Sequence, residues 1–215
     1  MPNPPSVIFA TGGGCLPIPG VVEDYHPGCA GFAERVVALA KDPAIETVVI
    51  AASWFRYFNN SYYRVEGVNA GPMTVRTPAW DEAYSRLANM MAGFKAQGKA
   101  VWLVLNMPTG WQLEPRLSLR RSISGRTESV PLYFDRAEFE TGWAPIRVKL
   151  IDIAVSSGAK IIDPIASLCD ETACKVKTAE GMLMYKDDGH LRSSYVRDHA
   201  SFMDVTLEPA GMSRR

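Results

Sequence analysis

The chain has 215 residues, 47% of them hydrophobic and 21% charged, with 23 Lys+Arg against 23 Asp+Glu. It has enough apolar content to bury a sizeable core, which excludes a disordered tail or a collagen-like fibre, and its even charge balance removes the basic footprint of a nucleic-acid partner. No stretch reaches the roughly 18 consecutive apolar residues of a membrane span, and the Met-Pro-Asn-Pro-Pro start has neither the basic nor the apolar region of a signal peptide.

Val7-Ile8-Phe9-Ala10 is an apolar run ending in Thr11-Gly12-Gly13-Gly14. It reads as a buried strand entering a turn where the backbone comes close to something. Residues 30–41 have helical spacing, with Phe32, Val36, Val37, Leu39 and Ala40 giving an apolar face and Asp42-Pro43 the stop. Residues 47–52 are a continuous, largely β-branched run, expected as a parallel strand covered on both faces. The pattern repeats: a helix over 80–97 with Gly98 as its stop, a strand over 100–106, a long Arg/Ser-rich connection, a helix over 145–157 and a strand over 160–163. The last helix is expected from Ser193 or Ser194 to about Met203. This alternation predicts an α/β fold, a single domain over 1–215 with its core at about 7–203, a mostly parallel sheet and helices on both faces.

In such sheets the ligand site lies beyond the carboxyl ends of the strands. Here those ends are residues 12–15, 53–57, 106–109 and the loop that runs from Asp163 to His190. The sharpest feature is Tyr185-Lys186-Asp187-Asp188-Gly189-His190-Leu191, with a carboxylate and an imidazole three residues apart. A carboxylate bound to one ring nitrogen fixes the tautomer and leaves the other nitrogen to take a proton from a nucleophile. The bland alternative is a solvated turn capping the last helix. Four cysteines stand in two close pairs, Cys15 with Cys29 and Cys169 with Cys174. Two local disulfides, and with them an oxidising compartment, are favoured over unpaired thiols. Zinc lacks its companions, since His26, His190 and His199 have no metal-ligand spacing, so neither a metal nor a cofactor is expected.

The Cys-x4-Cys, the Tyr-x-Asp-x-x-His-Leu, the strand ending in Ala51-Ala52-Ser53-Trp54-Phe55-Arg56-Tyr57 and the Gly14-Cys15-x-Pro segment together resemble the SGNH hydrolase-like domain. That domain is fused to the C-terminus of bacterial acyltransferase-three membrane proteins, which O-acetylate surface polysaccharides. The resemblance implies a three-layer α/β/α, flavodoxin-like sheet, with Asp187 and His190 as two members of a Ser-His-Asp triad. It places Gly14 as an oxyanion donor, while Ser53, Trp54, Arg56 and Tyr57 would complete the oxyanion hole or hold a sugar. For Gly14 the alternative is a turn glycine, and for the aromatics it is core packing. Arg192 stands where the family commonly has Ser, a departure that concerns a helix cap.

The family's nucleophile is the serine of a Gly-Asp-Ser at the end of the first strand, and this sequence contains no Gly-Asp-Ser. Residues 7–10 match the family's second strand, so the expectation is an N-terminally incomplete domain, inactive as it stands. A different arrangement makes Cys15 the nucleophile and His190 its base. The implied function is transfer of an acetyl group onto a cell-surface polysaccharide hydroxyl. Its partners would be an acetylated donor, a glycan acceptor and an attached or adjacent multi-pass membrane acyltransferase domain. The implied location is the periplasmic or extracellular face of the bacterial inner membrane. A carbohydrate acetyl esterase and a non-catalytic glycan-binding domain are the alternatives.

Overall fold

The computed structural model describes residues 6–68, 71–116 and 133–207. In chain order these form β1 (Val21–Glu23), α1 (Phe32–Ala40), β2 (Thr47–Ala51), α2 (Trp54–Phe58), β3 (Tyr63–Val65), α3 (Pro78–Ala96) and β4 (Ala100–Val104). There follow β5 (Tyr133–Asp135), α4 (Arg136–Glu140), α5 (Ala144–Ser157), β6 (Lys160–Ile162), α6 (Pro164–Leu168), β7 (Ala173–Lys175) and α7 (Ser193–His199). Their contacts gather into two compact units, one of Met1–Leu105, Pro145–Ile162 and Asp204–Arg215, the other of Asn106–Ala144 and Asp163–Met203.

The first unit is built on a parallel three-stranded sheet in the order β2-β4-β6, with Thr47 opposite Ala100 and Trp102 opposite Lys160. The three β-branched runs predicted as strands are these strands, and their parallel pairing is what helical crossovers of this length allow. Helix α3 starts where Thr77 Oγ1 accepts from Trp80 N–H at 3.2 Å and Pro78 occupies the first turn. It then buries Ala83, Tyr84, Leu87, Met91 and Phe94 at helical spacing. Trp54, Phe58, Trp80 and Tyr84 join the core, with Phe58 and Tyr84 stacked at 4.3 Å. Lys99 is buried, and its Nζ donates to the carbonyls of Asp42 and Ile45 at 2.8 and 2.7 Å, which ties down the turn leading into β2. A small antiparallel pair, β1 with β3, belongs to the same unit.

Three expectations are corrected. Residues 7–10 form no strand, and Val7, Ile8 and Phe9 are 54%, 63% and 83% exposed. A strand needs a ladder to join, and among the described residues these four pair with none. Strand β2 is buried on one face, through Ile50, and open on the other, where Val49 and Ala51 are exposed. Its edge away from β4 is likewise unpaired among the described residues. The last helix is shorter than expected, since the backbone leaves the helical region at Ala200 and continues as a 3-10 helix over Ser201–Leu207. Among the described residues no helix is long and apolar enough to cross a membrane.

The second unit pairs β5 with β7 antiparallel and buries Leu113, Phe139, Trp143, Ile165, Leu168, Met184 and Tyr185. Asp163 caps α6 by accepting from Ile165 N–H at 3.2 Å, and Asp135 caps α4 through Ala137 N–H at 2.8 Å. Arg136 reaches from α4 to the Asp170 carbonyl at 2.9 Å, anchoring the turn that precedes β7.

Candidate functional site

The predicted Asp187–His190 pair forms in the second unit. Tyr185 and Leu191 make an antiparallel bridge, and Lys186 N–H donates to the His190 carbonyl at 2.9 Å, so the five residues between them close into a narrow loop. At its tip Asp187 Oδ1 accepts from Gly189 N–H at 3.0 Å and faces His190 Nδ1 at 2.8 Å. The loop is held from outside as well, because Gly110 N–H donates to the Asp188 carbonyl at 2.7 Å. Burial works against ionisation of Asp187, but the Gly189 amide and the His190 ring outweigh it and hold its carboxyl below the usual carboxylate range. The His190 side chain is 68% exposed, and its Nε2 makes no hydrogen bond among the described residues. Arg192 is the N-cap residue of α7 without capping it; its side chain donates instead to the Tyr185 carbonyl at 3.0 Å, at the base of the same loop.

The other predicted site residues lie in the first unit. Gly14 has φ +80, in the left-handed region that favours glycine, and its carbonyl accepts from Tyr63 Oη at 2.8 Å. Its N–H makes no hydrogen bond among the described residues. Ser53 sits at the N-cap of α2 with its hydroxyl uncommitted to the cap, and Arg56 is exposed on the same helix. Tyr57 packs edge-to-face on Tyr63 at 5.1 Å. Burial pushes the Tyr57 hydroxyl up, Arg56 opposes this and the Glu23 carboxylate adds to it. Trp54 is fully buried and donates from Nε1 to the Val104 carbonyl at 2.8 Å. Core packing therefore describes Trp54, and an indole in that position has no face to offer a sugar.

Both cysteine pairs are disulfides, Cys15–Cys29 in the first unit and Cys169–Cys174 in the second. This removes the arrangement in which Cys15 attacks a substrate, since a sulfur engaged in a disulfide is no thiolate. It also accounts for Gly12, where a Cβ would stand 2.9 Å from Cys15 Sγ. Among the described residues no three His, Cys, Asp or Glu side chains gather as a metal site.

Over residues 3–201 the chain matches the family described as the SGNH domain (fused to AT3 domains). The chain belongs to this family. This SGNH domain is also similar to a solved structure of the periplasmic domain of the Salmonella ser. Paratyphi A lipopolysaccharide acetyltransferase, with a TM-score of 0.52 and 16% identity. The match covers 83% of this chain and 61% of that one, so it likens the two in fold. No curated protein matches.

One group escaped the sequence reading of this SGNH domain. Glu23 pairs with His26 Nδ1, the same carboxylate-x-x-His spacing as Asp187 and His190. Its signal in the sequence is the Glu-x-x-His spacing of Glu23-Asp24-Tyr25-His26.

Proposed function

We propose that this SGNH domain takes part in moving acetyl groups onto hydroxyls of a cell-surface polysaccharide, with His190 as the base and Asp187 as its orienting partner. The observation that carries the reading is the 2.8 Å bond from Asp187 Oδ1 to His190 Nδ1, which leaves Nε2 outward. An imidazole held in that tautomer accepts a hydroxyl proton at Nε2 as the oxygen attacks the acyl carbonyl, and the neighbouring carboxylate stabilises the imidazolium that forms. The proton then passes to the departing group. In the second half-reaction the same nitrogen takes the proton of an acceptor sugar hydroxyl, which attacks the acyl-enzyme and releases it.

The family's nucleophile is the serine of a Gly-Asp-Ser, a tripeptide these 215 residues do not contain, so the reading assigns a base and its partner to this chain and no nucleophile. Gly14, Ser53, Arg56 and Tyr57, all in the first unit, keep in this reading the oxyanion and substrate-binding roles that the family resemblance gives them. The acyl group arrives from a membrane acyltransferase-three domain of the kind to which family members are fused. A periplasmic location is supported by two disulfides, which persist in oxidising compartments, and by the solved relative, itself a periplasmic domain. That relative is the periplasmic domain of a lipopolysaccharide acetyltransferase, which supports a bacterial surface glycan as the acceptor class.

The test replaces His190 with Ala and Asp187 with Asn in the gene at its native locus and measures glycan O-acetyl content by NMR. His190→Ala is expected to reduce the acetylation rate roughly a thousandfold or more, and Asp187→Asn to do nearly as much. Unchanged acetylation in His190→Ala overturns the assignment. The absence of Gly-Asp-Ser favours one second reading, a glycan-binding domain without catalysis; it predicts that both substitutions leave acetylation intact.

A further inference from the structure

The antiparallel β1–β3 pair carries a second carboxylate–imidazole pair that the acyl-transfer reading does not use. Glu23 ends β1 with its side chain only 4% exposed. A carboxylate out of water needs partners, and this one has two from the turn that follows. Tyr25 N–H donates to Oε1 at 3.3 Å, and His26 Nδ1 pairs with Oε2. One buried group therefore pins the Tyr25 backbone and orients the His26 ring. The His26 ring is 60% exposed, and its Nε2 makes no hydrogen bond among the described residues. The Tyr25 ring is 68% exposed and meets the Tyr62 ring, 47% exposed, edge-to-face at 4.7 Å.

The support beneath this surface is firm. Asp24 N–H donates to the Tyr62 carbonyl at 3.2 Å, and Arg64 Nε donates to both Asp24 oxygens at 3.0 Å. The Cys15–Cys29 bridge closes the neighbouring loop, which brings Gly14 against His26: a Cβ on Gly14 would lie 3.6 Å from its ring. Two exposed aromatic rings in edge-to-face contact, one of them on the residue before His26, match a sugar ring. Its C–H face packs on an aromatic plane while its hydroxyl rim takes hydrogen bonds.

We propose that Tyr25, Tyr62 and His26 form a saccharide-binding subsite. A sugar ring stacks on an exposed tyrosine, a hydroxyl bonds to His26 Nε2, and Glu23 is the positioning residue that holds both Tyr25 and His26. The inference deepens the proposed function by giving the glycan acceptor a holding point, and it rests on that reading for its place in the reaction.

The experiment titrates the methyl glycosides of glucose, galactose, mannose and rhamnose, each to tens of millimolar, into the isotope-labelled chain and follows the Tyr25, Tyr62 and His26 signals by NMR. At least one glycoside is expected to shift all three saturably. Loss of stacking in Tyr25→Ala or Tyr62→Ala weakens that binding by roughly two- to tenfold, while Tyr25→Phe, which keeps the ring, restores it. His26→Ala weakens it roughly fivefold, and Glu23→Gln moves the His26 and Tyr25 signals before any sugar is added. The proposal is overturned if no glycoside moves these signals, if only residues elsewhere respond, or if the Tyr25→Ala, Tyr62→Ala double variant binds as the parent does. His190→Ala separates the two readings. Glycoside binding at Tyr25 with acetylation surviving His190→Ala brings down the acetyl-transfer reading alone, and acetylation lost in His190→Ala with no glycoside response brings down the subsite alone.

Discussion

Tyr185 is fully buried at the base of the His190 loop, and its hydroxyl has no hydrogen-bond partner among the described residues. A buried hydroxyl without a partner has lost its water and gained nothing. Tyr185→Phe is therefore expected to leave stability unchanged or raise it by about 1 kcal/mol, as urea unfolding will measure; a clear loss would mean that the hydroxyl is bonded. Asp187 makes a pH prediction. Its folded pKa is depressed, so its contribution is complete above its ordinary value of 3.8 and is lost as the pH falls through the lower folded value. The stability difference between the parent and Asp187→Asn is thus expected to stay flat above pH 3.8 and to shrink below it. A difference that grows in acid would contradict the sign. The Asp187–His190 bond was legible in the sequence because both partners lie within one short loop. Glu23–His26 has the same spacing, but what singles it out, a Glu23 side chain only 4% exposed, is a property of the fold and not of the spacing. Trp54 was ambiguous for the same reason, since only packing decides whether an indole after a strand faces a core or a ligand.

At the scale of elements, the Cys15–Cys29 bridge holds the loop that positions Gly14 and His26, with its cysteines 14 residues apart. Cross-linking a loop of this size removes unfolded-state freedom worth about 3 kcal/mol. Cys15→Ser with Cys29→Ser is expected to lower unfolding stability by about that amount. The same change at Cys169 and Cys174, only 5 residues apart, is expected to cost less because loop-closure entropy grows with length. Equal losses would place the stabilisation in local packing instead. Strands β2, β4 and β6 and helices α1, α3 and α5 were legible to within a few residues. Each carries a sustained apolar pattern, and caps such as Thr77-Pro78 mark an end. The pairs β1–β3 and β5–β7 escaped because three residues show no period; β6, equally short, was readable because it follows the long helix α5 in the helix–strand alternation. Residues 7–10 show the converse: an apolar run has strand propensity, yet forming a strand depends on a neighbour to pair with.

Taken as a whole, the molecule places one disulfide in each of its two compact units, so oxidation bears on both. Exported to an oxidising compartment, the protein is expected to contain no free thiol; made under reducing conditions, it should expose four on unfolding and melt at a lower temperature. Thiol titration with thermal unfolding checks both, and an unchanged melting temperature would show the bridges to be dispensable. The sequence by itself determined the α/β class, the parallel core strands, the local cysteine pairs and the His190 dyad. All of these rest on residues close together in the chain or on periods that repeat along it. Tertiary structure alone decided that Trp54 is core, that Cys15 is no nucleophile, that residues 7–10 stay outside the sheet and that the Glu23 side chain is out of water. Burial and pairing are properties of what surrounds a residue, and those surroundings are assembled from segments that only the fold brings together.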